Sequence, residues 1–287
     1  ITQSCTAFGK ETRYGLVYGI YNPFIKSRNL HLRFLGEFIL PFLMAITIGF
    51  YLRLSLGHYH VIAYAPTTLQ FPLMAILKKR SSKQFLILRD LFPDWLADSN
   101  IISEHGLTYK ILDFLSNIQL RLSDKIGVQA LGDVSRLSPQ FQKNAVLLNS
   151  FYLDEGKGYL SGIKKDNGFI VIGCFGTFGL AQNWKRAIKI IDFAMLKKPE
   201  LQIHFYGTSN TALQIKHFDR TVRNRVFINR SVTGAEFKEK VCEIDIGFFS
   251  LDEKIRGSNI PGKFISYCKF GIPTFGLCNI QSEVANI

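Results

Sequence analysis

Short, continuous apolar runs alternate with longer stretches of helical periodicity along most of the chain. Four runs in the first half are bounded by polar residues, glycine or proline, as strands usually are. The predicted strands of this half are residues 60–64, 84–88, 125–129 and 145–148. Helical stretches at about 69–77 and 109–122 separate them. Uninterrupted apolar runs between helices are typical of parallel strands that are covered on both faces.

The same pattern starts again after a polar segment at residues 154–168, which we interpret as an interdomain linker. The predicted strands of the second half are residues 169–173, 201–207, 225–228, 245–249 and 274–276. The helix after the first of them has one apolar face at helical spacing. This face consists of Trp184, Ala187, Ile188, Ile191 and Met195. Two such units predict an α/β protein with two Rossmann-like domains, residues 1–155 and 156–287, facing a cleft into which the strand ends point.

One apolar segment is a candidate for contact with a membrane. Residues 38–52 are apolar apart from Pro41 and Gly49, and Arg53 closes the segment. A bilayer span needs about 20 apolar residues, so this shorter run predicts a helix that is buried or lies at an interface. No secretory signal is visible, and because the chain begins at Ile1 rather than Met we expect a fragment of a longer protein.

The chain is basic, with 35 Lys and Arg against 22 Asp and Glu and a net charge of +13. Both halves share the excess, which argues against a basic nucleic-acid-binding tail. An anionic small molecule, a membrane surface, RNA or a plain solvated surface would each fit this charge. The five cysteines lack the spacing of a zinc site or a disulfide framework, and Cys174, Cys242 and Cys268, which lie in apolar runs, are predicted core residues.

A glycine-rich turn follows the first predicted strand of the second half. Gly173, Gly176 and Gly179 have the spacing Gly-x-x-Gly-x-x-Gly before a helix. Glycines let a backbone approach a phosphate, and a helix start offers unpaired N–H groups. The spacing differs from the dinucleotide fingerprint and no acidic residue ends the next strand, which argues against a nicotinamide-dependent dehydrogenase. A plain tight turn is the alternative interpretation.

The segment 257–273 predicts a second phosphate-binding element. Ser258 or Asn259 can cap a helix there, and Pro261 suits its first turn. Lys263 would lie in that turn, where a cation opposes the helix dipole, so a phosphate held between Lys263 and the helix start would relieve the conflict. The alternative is an exposed lysine on an ordinary capped helix.

Four segments of the chain together resemble a known family. They are FLILRDLFPDW, VLLNSF, GTFGLAQNW and SNIPGKFISYCKFGIPTFG, and the likeness covers roughly residues 59–287. They are similar to the nucleotide-sugar glycosyltransferases of family 4, in particular to the branch that builds bacterial capsule, O-antigen and exopolysaccharide units. The resemblance implies the GT-B fold, with two Rossmann-like domains around a cleft. It also implies that a sugar is transferred from a nucleoside diphosphate with retention of configuration, without a bound metal or other cofactor.

The resemblance further implies roles for individual residues. The donor-binding set is Gly176, Thr177, Gly179, Arg230, Ser258, Asn259, Gly262 and Lys263. The glycine loop would face the donor diphosphate, Lys263 and its neighbours would hold phosphate and sugar, and Arg230 would lie near the nucleobase. Arg89 and Asp90, the candidate catalytic residues, would line the cleft from the acceptor side, with Asp94 close by.

The chain departs from the family pattern at several positions. Many members have two Glu where this chain has Ser258 and Ser266, and an Arg and a Lys where it has Gln182 and Asn183. A non-catalytic sugar-nucleotide-binding or scaffold protein of the same fold is therefore the alternative function. A sugar-nucleotide epimerase is disfavoured, because paired carboxylates are absent from the predicted cleft positions.

The resemblance also implies partners and a location. We expect a nucleotide-sugar donor, a polyprenyl-linked or saccharide acceptor, and no nucleic acid. The basic first half and the helix at residues 38–52 fit a peripheral contact with an anionic membrane, at the cytoplasmic face of the cell membrane. In this fold a first strand with its loop would precede Ile1 and further helices would follow Ile287, so we expect both ends to be missing.

Overall fold

The computed structural model of the chain divides into two compact units, residues 1–148 and 149–287. The described residues are 2–4, 8–12, 15–21, 30–52, 59–65, 70–78, 81–148, 168–176, 182–207, 215–255 and 260–287. The predicted linker at residues 154–168 lies outside these ranges except for Gly168.

The first unit opens with three short strands and a long helix. Strands β1 (Thr2–Ser4), β2 (Phe8–Thr12) and β3 (Gly15–Tyr21) form a small sheet in which β3 is central. Helix α1 (Leu30–Leu52) follows and contains the apolar segment predicted as a helix. None of the three strands was predicted. Strands β1 and β2 are short and lack a continuous apolar run, whereas β3 was missed although it is apolar. Within the described part of the chain, no helix meets the length and apolarity that a membrane span requires.

A four-stranded parallel sheet forms the centre of the first unit. Its strands, adjacent in chain order, are β4 (Tyr59–Ala65), β5 (Ser81–Leu88), β6 (Lys125–Val128) and β7 (Ala145–Leu147). The helices between them are α2 (Phe71–Lys78), α3 (Asp94–Asp98), α4 (Leu107–Leu122), α5 (Leu131–Arg136) and α6 (Pro139–Gln142). The four predicted strands and the predicted helices at about 69–77 and 109–122 are confirmed.

The core of the first unit forms where α2 and α4 cover one face of this sheet. Leu86 and Ile126 are completely buried and pack against Met74 of α2 and Leu120 of α4. The carboxylate of Asp124 accepts the N–H of Gln84 at 2.7 Å. This hydrogen bond holds the pKa of Asp124 below its usual value and joins the start of β6 to β5.

The second unit contains a five-stranded parallel sheet. Its strands are β8 (Ile170–Phe175), β9 (Leu201–Tyr206), β10 (Val226–Asn229), β11 (Ile246–Ser250) and β12 (Thr274–Leu277), in the order β10-β9-β8-β11-β12. Its helices are α7 (Trp184–Lys197), α8 (Gly234–Cys242) and α9 (Gly262–Lys269). All five predicted strands are confirmed, and with the parallel sheet of the first unit they confirm the predicted α/β class.

The core of the second unit agrees with the sequence pattern except at two cysteines. The five predicted core residues of α7 are at most 8% exposed and pack with Ile203 and Phe248 of the sheet. Cys174 is buried as predicted, whereas Cys242 is only half-buried and Cys268 is exposed. The prediction for Cys268 was wrong because Tyr267, its neighbour on α9, takes the inward position.

Candidate functional site

The strand order of the second unit marks one point of its sheet as the expected ligand site. From β8 the chain moves outward through β9 and β10, and then returns to the other side of β8 for β11 and β12. Ligands of open parallel sheets bind beyond the C-terminal ends of the strands where the order reverses in this way. The reversal here lies between β8 and β11.

The chain segments that follow β8 and β11 meet at this point. Gly176 comes directly after β8 and has a φ of +100°, and its N–H donates to the carbonyl of Tyr206 at 2.8 Å. A Cβ built on Gly176 would lie 3.2 Å from Cε of Lys263 and 4.0 Å from its Nζ. Lys263 is the second residue of α9, the helix after β11. The fold therefore brings together one residue from each of the two predicted phosphate-binding elements.

The ammonium group of Lys263 is buried beside an aromatic ring. Its Nζ lies 5.7 Å from the ring centre of Trp184. Burial lowers the pKa of Lys263, so the surroundings disfavour its charged form. Burial also raises the pKa of the nearby Cys174 thiol to about 11, which keeps this thiol neutral at pH 7. An anion bound beside Nζ would restore the preference for the ammonium ion, so the site is suited to an anionic ligand.

Tyr267 seats helix α9 on the sheet, one turn after Lys263. Its ring is completely buried, and its hydroxyl lies 3.1 Å and 3.2 Å from the carbonyl oxygens of Phe248 and Gly173. The ring passes so close to β11 that a Cβ on Gly247 would be 2.4 Å from Cγ of Tyr267. Because these contacts join α9 to both β8 and β11, they fix the position of Lys263 at the strand ends.

The start of α9 differs from the prediction at its cap. The helix begins at Gly262, and its N-cap residue is Pro261, which has extended backbone angles and offers no side-chain acceptor. The predicted capping role of Ser258 or Asn259 was therefore wrong. Proline suits the boundary because its fixed φ is compatible with it and it has no N–H to satisfy. Because the side chain of Pro261 cannot accept a hydrogen bond, it does not cap the first N–H groups of α9. These N–H groups are therefore suited to binding an anion.

Further polar groups lie at the same edge of the sheet. The hydroxyl of Ser250, at the end of β11, donates to the carbonyl of Gln182 at 2.6 Å and joins the start of α7 to the sheet. Within the described ranges, Oε1 of Gln182 and Nδ2 of Asn229 are buried without a hydrogen-bond partner. Most buried polar groups in proteins are paired, so these two atoms are candidates for ligand contacts.

Sequence reasoning missed the place of Trp184 in this site. It predicted Trp184 as a core residue of α7, and the residue is indeed buried. The ring also faces the Lys263 ammonium. The available signal was the position of Trp184 at the start of the helix that follows the glycine turn.

Replacing Gly176 with alanine tests whether its close approach to Lys263 matters for binding. A side chain at positive φ is expected to lower the free energy of unfolding by about 1–2 kcal/mol, and the new Cβ would also press on Cε of Lys263. Gly168→Ala is a matched control, because Gly168 also has positive φ, +70°, but a Cβ there would meet nothing within 4 Å. Thermal unfolding should shift in both variants, whereas calorimetric affinity for a nucleoside diphosphate, the ligand that the family resemblance implies, should fall only in Gly176→Ala. Equal affinity in the two variants would contradict the assignment.

The other predicted donor-binding residues divide into three groups. Thr177, Gly179, Ser258 and Asn259 lie outside the described residues. Gly262 is exposed at the first position of α9. Arg230 follows β10, two strands from β8, and its exposed guanidinium pairs with Glu236 at 2.5 Å.

The predicted acceptor-side residues lie in the first unit, at the C-terminal end of β5. Arg89 follows β5 and is exposed, and its guanidinium donates to the hydroxyl of Tyr64 on β4 at 3.2 Å. Asp90 is half-buried beside it. The structure thus places both residues at the strand ends, where ligands of parallel sheets bind.

Asp94, which the family pattern placed near the acceptor, takes part in a structural network. It accepts the hydroxyl of Tyr109 at 2.8 Å and pairs with Arg136 at 3.1 Å, which also pairs with Asp98. These groups adjoin a cavity of about 50 Å³ between α4 and α5. Burial and the neighbouring Asp94 raise the pKa of Asp113 in its wall.

Three solved structures show what the fold resembles. The pneumococcal O-GlcNAc transferase GtfA aligns with 92% of the chain at a TM-score of 0.56 and 12% identity. The lipopolysaccharide outer core galactosyltransferase WaaB aligns with 91% at 0.52 and 12%. TarM, known from S. aureus, aligns with 82% at 0.56 and 12%. All three are GT-B glycosyltransferases.

The chain has the GT-B fold. This result confirms the predicted fold class. The matched part is 46% of GtfA, 65% of WaaB and 43% of TarM, so the chain spans less than two thirds of each of these proteins. No protein-family model and no curated protein matches the sequence.

Among the described residues, no group of three or more His, Cys, Asp or Glu side chains could hold a metal ion.

Proposed function

We propose that this protein is a retaining glycosyltransferase of the family 4 type. It would move a hexosyl group from a nucleoside diphosphate to a lipid-linked or saccharide acceptor in the synthesis of capsule, O-antigen or exopolysaccharide. The observation that carries the proposal is the buried ammonium of Lys263 beside the positive-φ Gly176, at the strand reversal of a parallel sheet. A diphosphate is the ligand that this combination of cation, close backbone and helix start fits best.

The solved structures of the same fold support the nature of the donor. GtfA was crystallised with UDP and GlcNAc, and one TarM structure contains UDP and a GlcNAc-glycerol compound. WaaB is named as a galactosyltransferase. By this likeness we propose a nucleoside diphosphate sugar as the donor of the present protein.

The proposed chemistry uses Lys263 to stabilise the leaving group. The bond between the anomeric carbon and the diphosphate oxygen breaks, and the diphosphate keeps the electron pair. An acceptor hydroxyl oxygen forms the new bond on the same face of the sugar, and its proton passes to the departing diphosphate oxygen. Negative charge then grows on the diphosphate beside Lys263 and the start of α9. A fixed cation and oriented N–H dipoles stabilise such charge without reorganisation. We propose that these groups act without a metal ion.

The acceptor side of the proposal rests on Arg89 and Asp90. Both lie at the end of β5, where Arg89 already contacts a tyrosine hydroxyl. We assign them to the acceptor and to catalysis, with a polyprenyl-diphosphate-linked sugar at the cytoplasmic face of the membrane as the preferred acceptor. The net charge of +13 supports a location on an anionic membrane.

A second candidate function is a non-catalytic sugar-nucleotide-binding protein of the same fold. It is favoured by Ser266, which stands where many family members have Glu. Ser266 is buried, and its hydroxyl donates to the carbonyl of Gly262 at 2.9 Å. A serine engaged in this way offers no carboxylate to a bound sugar.

One experiment separates the two candidates. The protein is incubated with UDP-glucose, UDP-galactose, UDP-GlcNAc or GDP-mannose, while calorimetry measures binding and a coupled assay measures released UDP or GDP. A glycosyltransferase should bind at least one donor. It should also slowly release the nucleotide, since such enzymes transfer the sugar to water when no acceptor is present. Binding without release would favour the non-catalytic protein. No binding of any donor, of UDP or of GDP would contradict both candidates.

A further inference from the structure

Helices α1, α2 and α4 form one layer of the first unit, with α2 in contact with both others. Leu40 and Met44 of α1 pack against Leu73 and Leu77 of α2. The inner side of α4 is buried as well, through Leu112 and other side chains. Each of the three helices therefore has one side that faces the protein and an opposite side that faces outward.

The outward side of α1 is apolar along four turns. Its exposed large side chains follow a spacing of three or four residues, which places them on one face. They are Leu32, Leu35, Phe38, Phe42 and Ile46. The inward side is equally apolar, and a helix that is apolar all round is normally covered on both sides.

The outward sides of α4 and α2 continue this surface. On α4, the side chains of Leu107, Ile111 and Phe114 are 74%, 50% and 63% exposed at helical spacing, and on α2 Ile76 is exposed. Aromatic contacts join the helices, since the Phe42 ring lies 6.0 Å from that of Phe71 at the start of α2. Single exposed apolar residues are ordinary, but several of them on helices that contact one another mark an interaction surface. We name the outward sides of α1, α2 and α4 the helical face.

The charges of the helical face indicate which partner covers it. On the described side chains of the three helices, the exposed charged residues are Lys78, Lys110 and Arg121, and none is acidic. Lys78 pairs with Asp124, so Lys110 and Arg121 contribute most of the positive charge. Apolar side chains bordered by cations on the exposed side of a helix are typical of segments that lie in the interface of an anionic bilayer.

We propose that the helical face binds the surface of an anionic lipid bilayer. Leu107, Ile111, Phe114 and the exposed side chains of α1 enter the boundary between headgroups and acyl chains, while Lys110 and Arg121 contact lipid phosphates. The inference deepens the proposed function and rests on it for the purpose of the contact, which would hold the enzyme at the location of a lipid-linked acceptor. The contact uses α4 and α2 as well as the α1 segment that the sequence indicated.

Vesicle sedimentation tests this surface with a closely matched control. The protein is mixed at low salt with vesicles of phosphatidylcholine, or of phosphatidylcholine with phosphatidylglycerol. Ile111→Gln/Phe114→Gln should lower binding to the anionic vesicles roughly tenfold, since it removes two inserted side chains. The control is Leu196→Gln/Phe193→Gln on α7, where the side chains are 49% and 64% exposed, so it removes the same amount of exposed apolar surface elsewhere. It should leave vesicle binding unchanged.

Charge and oligomeric state complete the test. Lys110→Glu/Arg121→Glu should also reduce binding to the anionic vesicles, by roughly tenfold or more, and added salt should have the same effect. Absence of vesicle binding by the parent protein, or equal loss in the α7 control, would overturn the proposal. A dimer in light scattering that Ile111→Gln/Phe114→Gln dissociates would instead assign the face to a second copy. Donor hydrolysis, measured without vesicles on the same variants, reports separately on the proposed enzyme.

Discussion

Lys263→Met is expected to lower kcat/KM for donor hydrolysis or sugar transfer by about 10²–10³-fold, equal to about 3–4 kcal/mol of transition-state stabilisation. The reason is that the ammonium lies beside Gly176 at the strand reversal, where the leaving diphosphate would develop its charge. Methionine keeps most of the length and the apolar character of the lysine stem, so the change removes charge rather than volume. Steady-state kinetics with the best donor measures the loss.

A matched control and a stability measurement distinguish loss of the Lys263 charge from a general effect of losing a lysine or from unfolding. Lys189→Met removes an exposed lysine from α7 of the same unit and should leave turnover unchanged. Lys263→Met should raise the thermal midpoint of the ligand-free protein at pH 7, because burial lowers the lysine pKa and the charged form is therefore unfavourable there. Unchanged kcat/KM in Lys263→Met would remove this lysine from the proposed mechanism.

The lowered pKa also sets the direction of a pH dependence. Between the folded and the unfolded pKa of Lys263 the unfolded chain binds more protons, so this group's contribution to stability increases as pH rises through that window. Donor binding should change in the opposite sense, since the neutral amine no longer attracts a diphosphate. UDP affinity is therefore expected to fall as pH rises through the lowered pKa of Lys263, which lies below the usual lysine value of 10.5, and this fall should be absent in Lys263→Met.

Gly247→Ala is expected to lower the free energy of unfolding by about 1–3 kcal/mol, the usual range for an overpacked core. The added Cβ would lie 2.4 Å from Cγ of Tyr267, whose ring is completely buried and whose hydroxyl is held by the carbonyl oxygens of Phe248 and Gly173. Relief requires α9 to shift away from β11, and Lys263 shifts with it. Donor affinity should therefore fall together with stability, although Gly247 is not proposed to touch the donor.

Two further variants test the origin of this effect by denaturant unfolding. Gly262→Ala is the control for stability alone, because a Cβ there would meet nothing within 4 Å and the first position of α9 accepts alanine readily. Tyr267→Leu should make Gly247→Ala much less destabilising in the double variant than in the parent protein. Additive losses in that double-mutant cycle would show that the Tyr267 contact is not the cause.

Much of the fold could be predicted from local pattern. Short runs dominated by apolar residues identified nine strands of the two parallel sheets, because strands of a parallel sheet covered by helices are rich in apolar residues. The same reasoning could not find β1 and β2, which are short and polar, nor the outward position of Cys268 on α9. Which side of a helix faces the sheet depends on its neighbours, and here Tyr267 fills the space beneath α9.

The candidate site shows the same division between local and tertiary information. Spacing alone identified the turn at Gly176 and the helix start at Lys263. A glycine lets the backbone approach a phosphate, and a cation in the first turn opposes the helix dipole, so both signals can be recognised from a few neighbouring residues. It could not reveal the adjacent Trp184 ring or the buried Oε1 of Gln182, because those contacts join separate elements. The predicted cap of α9 was wrong for a related reason, as proline can itself occupy the boundary.

By itself, then, the sequence determined the two α/β halves, their strands and the two segments suited to phosphate, because periodicity and residue type act over a few neighbouring positions. Only the tertiary structure decided that Gly176 and Lys263 meet between β8 and β11, that the lysine is buried there, and that α1, α2 and α4 share one apolar outer face. The physical reason is that strand order and helix packing are set by contacts between residues far apart in the chain, and burial is a property of all of those contacts together.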